Sequence, residues 1–234
     1  MIFSDRDMIF QRFIVPFINS NMYLAIDDGV AFIVDPFVSS EALFLIVKAN
    51  VHKIYIVLTH EHADHISGIG YFAKQVEYVK VIAHQACAAS VSDKKKNRPI
   101  VLLGLINKEN EADIKRLYAE WPVESTSVDI VIDKDCDMEI CNHKFRFIHA
   151  PGHSPGSMLI IVDDKYLFSG DYMIADVPAI LRYPGGSEND YYEYTLPFLK
   201  KLSGSLSVLP GHGETYLLSD FVYCCGRFKR KENV

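Results

Sequence analysis

Long uninterrupted apolar runs are absent from this 234-residue chain, and none approaches the roughly 20 residues that a membrane-spanning helix needs. No N-terminal stretch joins a basic region to an apolar segment and a small-residue cleavage site, so we expect no secretory signal. Cysteine is scarce too. The five cysteines form no disulfide-framework pattern, and their odd number suits a reducing compartment. We therefore expect a cytoplasmic protein without a membrane partner.

An excess of basic charge is also missing. The formal net charge is −6, whereas nucleic-acid binding depends on a basic surface, so we expect no nucleic-acid partner. Apolar residues are plentiful by contrast, at 49% of the chain, which is enough for a substantial core. The length fits one α/β domain, and we interpret residues 1–234 as that single domain. No feature of the sequence indicates the oligomeric state.

Apolar and turn-forming segments predict strands and helices that follow one another twice along the chain. The predicted strands are 8–16, 21–27, 30–35, 53–58, 79–83, 128–133, 136–141, 143–149, 157–162, 165–169 and 205–209. The predicted helices are 41–49, 66–74, 107–119 and 191–202. Residues 85–127 interrupt this order, and we interpret them as an atypical insertion that is either a lid beside the site or decoration on the outer shell.

The densest group of potential metal ligands is Thr59–His65, which holds three histidines and an aspartate directly after a β-branched apolar strand. Buried imidazoles and carboxylates need hydrogen bonds or a cation to offset their lost hydration. In α/β proteins, functional groups gather in loops at the carboxyl ends of strands. Taken alone, this loop is either a metal-binding loop or a histidine-rich surface loop.

Three later strand ends repeat the pattern and favour the metal-binding interpretation. Each offers a histidine or an aspartate beside glycine, which lets the backbone turn sharply. The three segments are Pro151–His153, Ser169–Asp171 and Gly211–His212. Four such loops in one chain predict a shared site.

Together these motifs resemble the metallo-β-lactamase fold superfamily, in its glyoxalase II-like branch, over residues 21–213. The resemblance implies an α+β fold, a four-layer αββα sandwich of two mixed sheets with helices outside. It also implies two divalent metal ions at one edge of the sandwich. One ion would be held by His60, His62 and His153, the other by Asp64, His65 and His212, with Asp171 bridging the two.

Imidazole and carboxylate ligands without thiolate favour zinc, with iron or manganese as alternatives. Two neighbouring cations can lower the pKa of a shared water from about 15.7 toward about 7. The resemblance therefore implies a metal-dependent hydrolase in which a metal-bridging hydroxide attacks a carbonyl. Asp64 and Asp171 are its candidate catalytic carboxylates, since Asp171 would bridge the metals and Asp64 would steer the hydroxide or relay its proton.

Several neighbouring residues are candidates for supporting roles. Asp35 ends the hairpin strand where relatives carry Asp-Pro-Gly, and it either orients a ligand histidine or is an ordinary strand-end carboxylate. Tyr172, Met173 and Tyr183 either line a substrate groove or belong to the core. Glu61 lies between two ligands and is expected to point away from the metals into solvent.

The substrate is less well defined by the sequence. Only 22 residues follow His212, so we expect no helical glutathione-recognising domain. Arg182–Ser187 resembles, imperfectly, a segment of single-domain glyoxalase II-like proteins. The resulting expectation is a thioester hydrolase acting on a small-molecule or carrier-bound acyl group, either glyoxalase II-like or an acyl-CoA or acyl-carrier thioesterase.

Two other activities stay open. His62–Gly68 also resembles the corresponding segment of persulfide dioxygenases. That resemblance implies a single iron held by His60 or His62, by His153 and by Asp171. The further alternative is a lactonase, which would use the same hydrolytic chemistry.

Overall fold

The computed structural model describes residues 8–15, 18–93, 126–202 and 204–231. The first of its two six-stranded sheets follows chain order: β1 (Gln11–Ile14), β2 (Asn21–Asp27), β3 (Val30–Val34), β4 (Lys53–Val57), β5 (Tyr78–His84) and β6 (Ile130–Ile132). Strands β1 to β3 are antiparallel and β3 to β6 are parallel, so the sheet is mixed. Asp28 and Gly29 both have positive φ, which matches the twist of a tight hairpin and confirms the predicted turn between β2 and β3.

The second sheet has the spatial order β12-β11-β10-β9-β8-β7. Its strands are β7 (Cys136–Ile140), β8 (His143–His149), β9 (Met158–Val162), β10 (Tyr166–Gly170), β11 (Ser207–Pro210) and β12 (Tyr216–Leu217). Only the β10–β11 pair is parallel. A separate two-stranded hairpin follows, formed by β13 (Phe221–Cys224) and β14 (Arg227–Arg230).

The helices are short. They are α1 (Ser40–Lys48), α2 (Ala63–Ile66), α3 (Ile69–Ala73), α4 (Gln85–Val91), α5 (Glu188–Asp190) and α6 (Leu196–Leu199), with a π-helical turn (Tyr191–Thr195) between the last two and a 3₁₀ turn (Leu218–Asp220) before β13. Ser39 caps α1 because its hydroxyl accepts a hydrogen bond from the Ala42 N–H at 3.2 Å. No helix among the described residues is both long and apolar enough to cross a membrane.

Three apolar clusters separate the layers. The central cluster joins the facing sides of the two sheets, for example Phe32 of the first sheet and Phe145 of the second. The outer side of the first sheet packs on α1, α3 and α4, where Ile46 and Phe72 are buried. The outer side of the second sheet packs on α6 and on the β13–β14 hairpin. The expected αββα sandwich of two mixed sheets is therefore confirmed.

Two predicted helices differ from the structure. Over 191–202, a π-helical turn (Tyr191–Thr195) comes before the short helix α6 (Leu196–Leu199). The second difference lies near the metal-binding loop. The sequence predicts a single helix over 66–74, but α2 begins at Ala63 and α3 begins only at Ile69. The reason lies at Gly68, whose N–H donates to the Pro36 carbonyl at 2.8 Å and whose Cα packs against the Phe37 backbone. This contact separates the two helices. The first part of the 85–127 insertion forms α4. Most of the rest of the insertion, including the predicted helix 107–119, lies outside the described residues.

Candidate metal centre

The loops that carry the predicted ligands gather at one edge of the sandwich. They follow the carboxyl ends of β4, β8, β10 and β11. Backbone hydrogen bonds tie the two sheets together there: the Met158 N–H donates to the Thr59 carbonyl at 2.7 Å, and the Asn21 N–H donates to the Gly211 carbonyl at 2.6 Å. Loops far apart in sequence are thus held side by side by the paired sheets.

The first group of ligand atoms consists of His60, His62, His153 and Asp171, with one atom from each lying within 4.8 Å of the others. The Nδ1 atom of His62 is 3.1 Å from His60 Nε2 and 3.0 Å from His153 Nε2. His60 and His153 are fully buried. Three imidazole nitrogens converging on one point form a suitable face for a divalent cation.

The second group consists of Asp64, His65 and His212, again with ligand atoms within 4.8 Å of one another. The Oδ2 atom of Asp64 is 3.3 Å from His65 Nε2 and 3.5 Å from His212 Nε2. Asp64 and His65 lie on α2, which begins at Ala63, and both side chains are buried at this edge of the sandwich.

Asp171 connects the two groups through its two different oxygens. Its Oδ2 atom is 3.3 Å from His153 Nε2 in the first group. Its Oδ1 atom is 3.3 Å from His65 Nε2 and 3.6 Å from His212 Nε2 in the second. The structure therefore brings all seven predicted ligands together, with one carboxylate facing both groups.

Two buried polar atoms at the junction of the groups fit a cation. Among the described residues, His65 Nε2 and Asp171 Oδ1 are buried without a hydrogen-bond partner. Such atoms are rare in native proteins because leaving them unpaired is costly. An imidazole nitrogen and a carboxylate oxygen are both good ligands for a divalent ion, so the donor set fits the group that the motifs imply.

The opposite nitrogen of three histidines has its own partner, which orients each ring. Asp35 accepts hydrogen bonds from the Thr59 N–H at 2.7 Å, from the Thr59 hydroxyl at 2.6 Å and from His65 Nδ1 at 3.0 Å. The Thr59 hydroxyl also lies 3.0 Å from His60 Nδ1. His153 Nδ1 donates to the Ile180 carbonyl at 2.7 Å. These bonds leave Nε2 of each ring facing the centre.

Asp35 also has potential ligand atoms near His60 and His65, so it forms a third possible ligand group with them. Both of its oxygens are already engaged by Thr59 and His65. The residue adopts φ of +53°, a conformation that costs free energy for a residue other than glycine. The geometry therefore favours Asp35 as a support for the ring of His65.

The pKa values of the buried side chains differ between the two ligand groups. Burial, followed by the neighbouring histidines, lowers the pKa of His60 well below its ordinary value and that of His62 to about 4. These rings are neutral and their nitrogens are available to a metal. Burial acts on the Asp64 and Asp171 carboxyls in the opposite direction, but the nearby histidines outweigh it and hold both pKa values well below the usual range. Burial opposes charge on His65 as well, yet Asp64 and Asp171 raise its pKa well above its ordinary value.

Glu61 differs from the expectation that it is solvated. It belongs to none of the ligand groups, but its carboxylate accepts hydrogen bonds from the Ser154 hydroxyl at 2.9 Å and from the Gly156 N–H at 3.3 Å. Glu61 thus joins the His60–His62 loop to the loop that carries His153. Its position between two ligands in sequence gives no sign of this bond, because the partner loop lies 93 residues away.

The candidate groove residues have different environments. Tyr172 is buried under the centre, where its hydroxyl donates to the Ala150 carbonyl at 2.8 Å and accepts from the His153 N–H at 2.7 Å. Met173 is buried in the outer core of the second sheet. Tyr183 is half-buried, and its ring centroid lies 5.6 Å from that of His62 and 5.9 Å from that of His153, edge to face. Tyr183 therefore borders the first ligand group from a half-buried position, whereas Tyr172 is buried against His153.

Other histidines have partners away from the ligand groups. His143 lies 2.7 Å from an Asp163 oxygen and 3.4 Å from an Asp27 oxygen. The rings of His84 and His149 stack with centroids 3.9 Å apart. Among the described residues, none of these three histidines belongs to a ligand group.

The comparisons with known proteins agree with the fold and the motifs. A family model described as the Metallo-beta-lactamase superfamily matches residues 15–212. The chain is 26% identical over 216 residues to the "Probable metallo-hydrolase YqgX" of Bacillus subtilis (strain 168), covering 91% of this chain and 94% of that protein.

Two solved structures share the fold at lower identity. The first is the BLEG-1 B3 metallo-beta-lactamase, with 24% identity, a TM-score of 0.68 and coverage of 90% of this chain and 95% of that one. The second is TTHA1623 in a di-iron-bound form, with 20% identity, a TM-score of 0.69 and coverage of 89% and 95%. Family and ligand groups together suggest divalent metal binding by an enzyme. Because the family model spans most of the chain, the protein belongs to the metallo-beta-lactamase superfamily.

Proposed function

We propose that this protein is a hydrolase that uses two divalent metal ions to cleave a carbonyl substrate, most simply a thioester. The observation that carries the proposal is the position of Asp171, whose Oδ2 faces the first ligand group and whose Oδ1 faces the second. A carboxylate in this position can bridge two ions. The di-iron form of TTHA1623, which has the same fold, supports a two-ion centre.

Bound divalent ions would supply a water of lowered pKa and would polarise the carbonyl of the substrate. The chain's own residues would place these groups. His60, His62 and His153 would hold one ion, Asp64, His65 and His212 the other, and Asp35 would keep the His65 ring in position. Asp64, held ionised beside His65 and His212, can accept a hydrogen bond from the attacking water and orient it toward the carbonyl.

A thioester substrate is supported by the likeness of Arg182–Ser187 to a segment of single-domain glyoxalase II-like proteins. Within that segment, Tyr183 stands edge to face against His62 and His153, so its ring forms one wall beside the first ligand group. A wall of this kind suits an apolar acyl group close to the carbonyl. Zinc is the first choice of metal, with iron or manganese as alternatives.

A panel assay tests the proposal. The purified chain would be stripped of metal, reloaded separately with zinc, iron or manganese, and given acyl thioesters of increasing chain length on glutathione and coenzyme A, together with a lactone. We expect metal-dependent thioester cleavage, and cleavage of the lactone alone would favour the lactonase.

The Asp64→Asn variant provides the matched test of mechanism. It keeps the shape of the side chain but removes its charge, so we expect kcat to fall by roughly 100-fold or more, within the range usual for loss of a proton-accepting group. Wild-type kcat in this variant would contradict a catalytic role for Asp64.

A persulfide dioxygenase is the second candidate. One support is the likeness of the His62–Gly68 sequence to the corresponding segment of persulfide dioxygenases. The other is the first ligand group, whose three histidines and one carboxylate can hold a single ion without the second group. Oxygen consumption with glutathione persulfide by a chain holding one iron would support it. Thioester cleavage without oxygen consumption would contradict it.

A further inference from the structure

The tip of the β13–β14 hairpin carries two adjacent cysteines that the metal centre does not use. Cys224 ends β13, and Cys225 begins the turn with φ of +52°, followed by Gly226 at +81°. Both thiols are exposed, and their sulfur atoms lie 3.4 Å apart. The hairpin thus presents a solvent-facing dithiol.

This pair differs from the other cysteines of the chain. Cys87 is buried against the outer side of the first sheet, and Cys136 and Cys141 are half-buried beside the central core. Those three fill apolar space, which is the usual role of a free cysteine. Cys224 and Cys225 fill none, since both side chains are exposed at the tip of the hairpin.

We propose that Cys224 and Cys225 form a reversible modification site for low-molecular-weight disulfides such as glutathione disulfide. The thiolate of one cysteine attacks a sulfur of the oxidant, forming a mixed disulfide and releasing one glutathione thiolate. The second cysteine then attacks the protein sulfur of that mixed disulfide and releases the second glutathione. The protein loses two electrons and two protons, and the glutathione disulfide is reduced to two thiols.

The geometry favours the second step and makes its product easy to reverse. The neighbouring sulfur is already in contact, so ring closure needs only local movement at an exposed turn. Adjacent Cα atoms are about 3.8 Å apart across a trans peptide, whereas bridged cysteines usually have Cα atoms about 4.4–6.8 Å apart. A bond between neighbours is therefore strained, and strained disulfides are readily reduced.

Charge at the tip suits an anionic oxidant. Arg227 pairs with Cys224 across the hairpin, and Lys229 follows on the same strand. Glutathione disulfide carries carboxylates, which these cations attract. The site does not depend on the metal centre, because the hairpin packs on the outer side of the second sheet and contributes no atom to either ligand group.

The test uses the full chain in buffers with a graded ratio of reduced to oxidised glutathione, followed by acid quenching, alkylation of free thiols and peptide mass spectrometry. We expect the peptide containing both cysteines to lose two hydrogen atoms as the buffer becomes oxidising and to regain them in reduced glutathione. Cys224→Ser and Cys225→Ser should instead accumulate a glutathione adduct, because the resolving thiol is gone. The Cys136→Ser control should behave as wild type.

Several results would overturn the proposal. One is wild-type protein that stays fully reduced or stops at the glutathione adduct. Another is a serine variant that loses the same two hydrogen atoms as wild type. A third is the formation of disulfide-linked dimers on a non-reducing gel. Circular dichroism of each variant shows whether it is folded, so that a misfolded variant is not counted as a result.

Discussion

At the scale of single residues, the centre is organised by carboxylates with distinct positions. Asp171 faces both ligand groups, Asp64 belongs to one, and Asp35 stands behind His65 and Thr59. All three are buried or nearly so, and each contacts a histidine. Their roles can therefore be separated by measuring metal binding and activity in single variants.

Removing Asp171 should affect both ligand groups together. We expect Asp171→Ala to lose both metal ions and nearly all activity, with a loss of metal affinity greater than the roughly 10- to 100-fold typical of an outer partner. Elemental analysis of the purified variant is the measurement. Full metal content in Asp171→Ala would rule out the bridging role.

Changing Asp35 should have a graded effect. Asp35→Asn keeps the size of the side chain but removes one of the acceptors that hold Thr59 and His65, so we expect metal affinity to fall by roughly 10- to 100-fold. Competition with a coloured chelator measures this change. Asp27→Asn, which alters a carboxylate near His143 and outside the ligand groups, is the matched control. Equal affinities in the two variants would show that Asp35 has no orienting role.

At the scale of structural elements, hydrogen bonds fasten ligand loops of one sheet to the other sheet. The turn that carries His212 is the clearest case. The buried Asn21 side chain donates from Nδ2 to the Pro210 carbonyl at 2.9 Å and to the Gly213 carbonyl at 2.8 Å. The Tyr23 hydroxyl donates to the same Pro210 carbonyl at 2.8 Å. Strand β2 of the first sheet thereby fixes a turn of the second.

Loss of the Asn21 amide should loosen that turn. We expect the free energy of unfolding of Asn21→Ala to fall by about 1–3 kcal/mol, because two carbonyls each lose a hydrogen-bond donor. We also expect this variant to lose the metal ion on the His212 side before the other ion. Metal content and urea unfolding measure the two effects. The exposed Asn189→Ala is the matched control. An Asn21→Ala protein that keeps both ions with wild-type affinity would contradict this anchoring.

At the scale of the whole molecule, the sequence predicts what depends on local pattern. Apolar, β-branched runs predict most strands, and the carboxyl ends of those strands place His60, His153, Asp171 and His212 at one edge. Bonds between distant segments are not encoded locally. The break at Gly68 depends on Phe37, and the contact of Glu61 depends on Ser154, so neither follows from the neighbouring sequence.

Stability toward acid should depend on His84. Burial, and then His149, lowers the pKa of the buried His84 from 6.5 to about 4, so the folded state holds this ring neutral. The unfolded chain binds a proton near pH 6.5, and the contribution of His84 to stability is therefore complete above that pH and is lost as the pH falls toward 4.

The His84→Asn variant tests this dependence. The His84 ring accepts a hydrogen bond from the Ala86 N–H at the start of α4, and asparagine can keep that bond without titrating. We expect the variant to lose less unfolding free energy than wild type between pH 6.5 and 4, as measured by urea unfolding at several pH values. The exposed His52→Asn is the matched control. Parallel losses in His84→Asn and wild type would show that His84 does not contribute.

The most direct test of the two-metal account is the metal content per chain of protein purified without added metal, measured by inductively coupled plasma mass spectrometry. The account predicts about two ions per chain, zinc or a mixture of zinc and iron, as expected for a two-metal hydrolase. About one iron per chain with little zinc, or no metal at all, would contradict it.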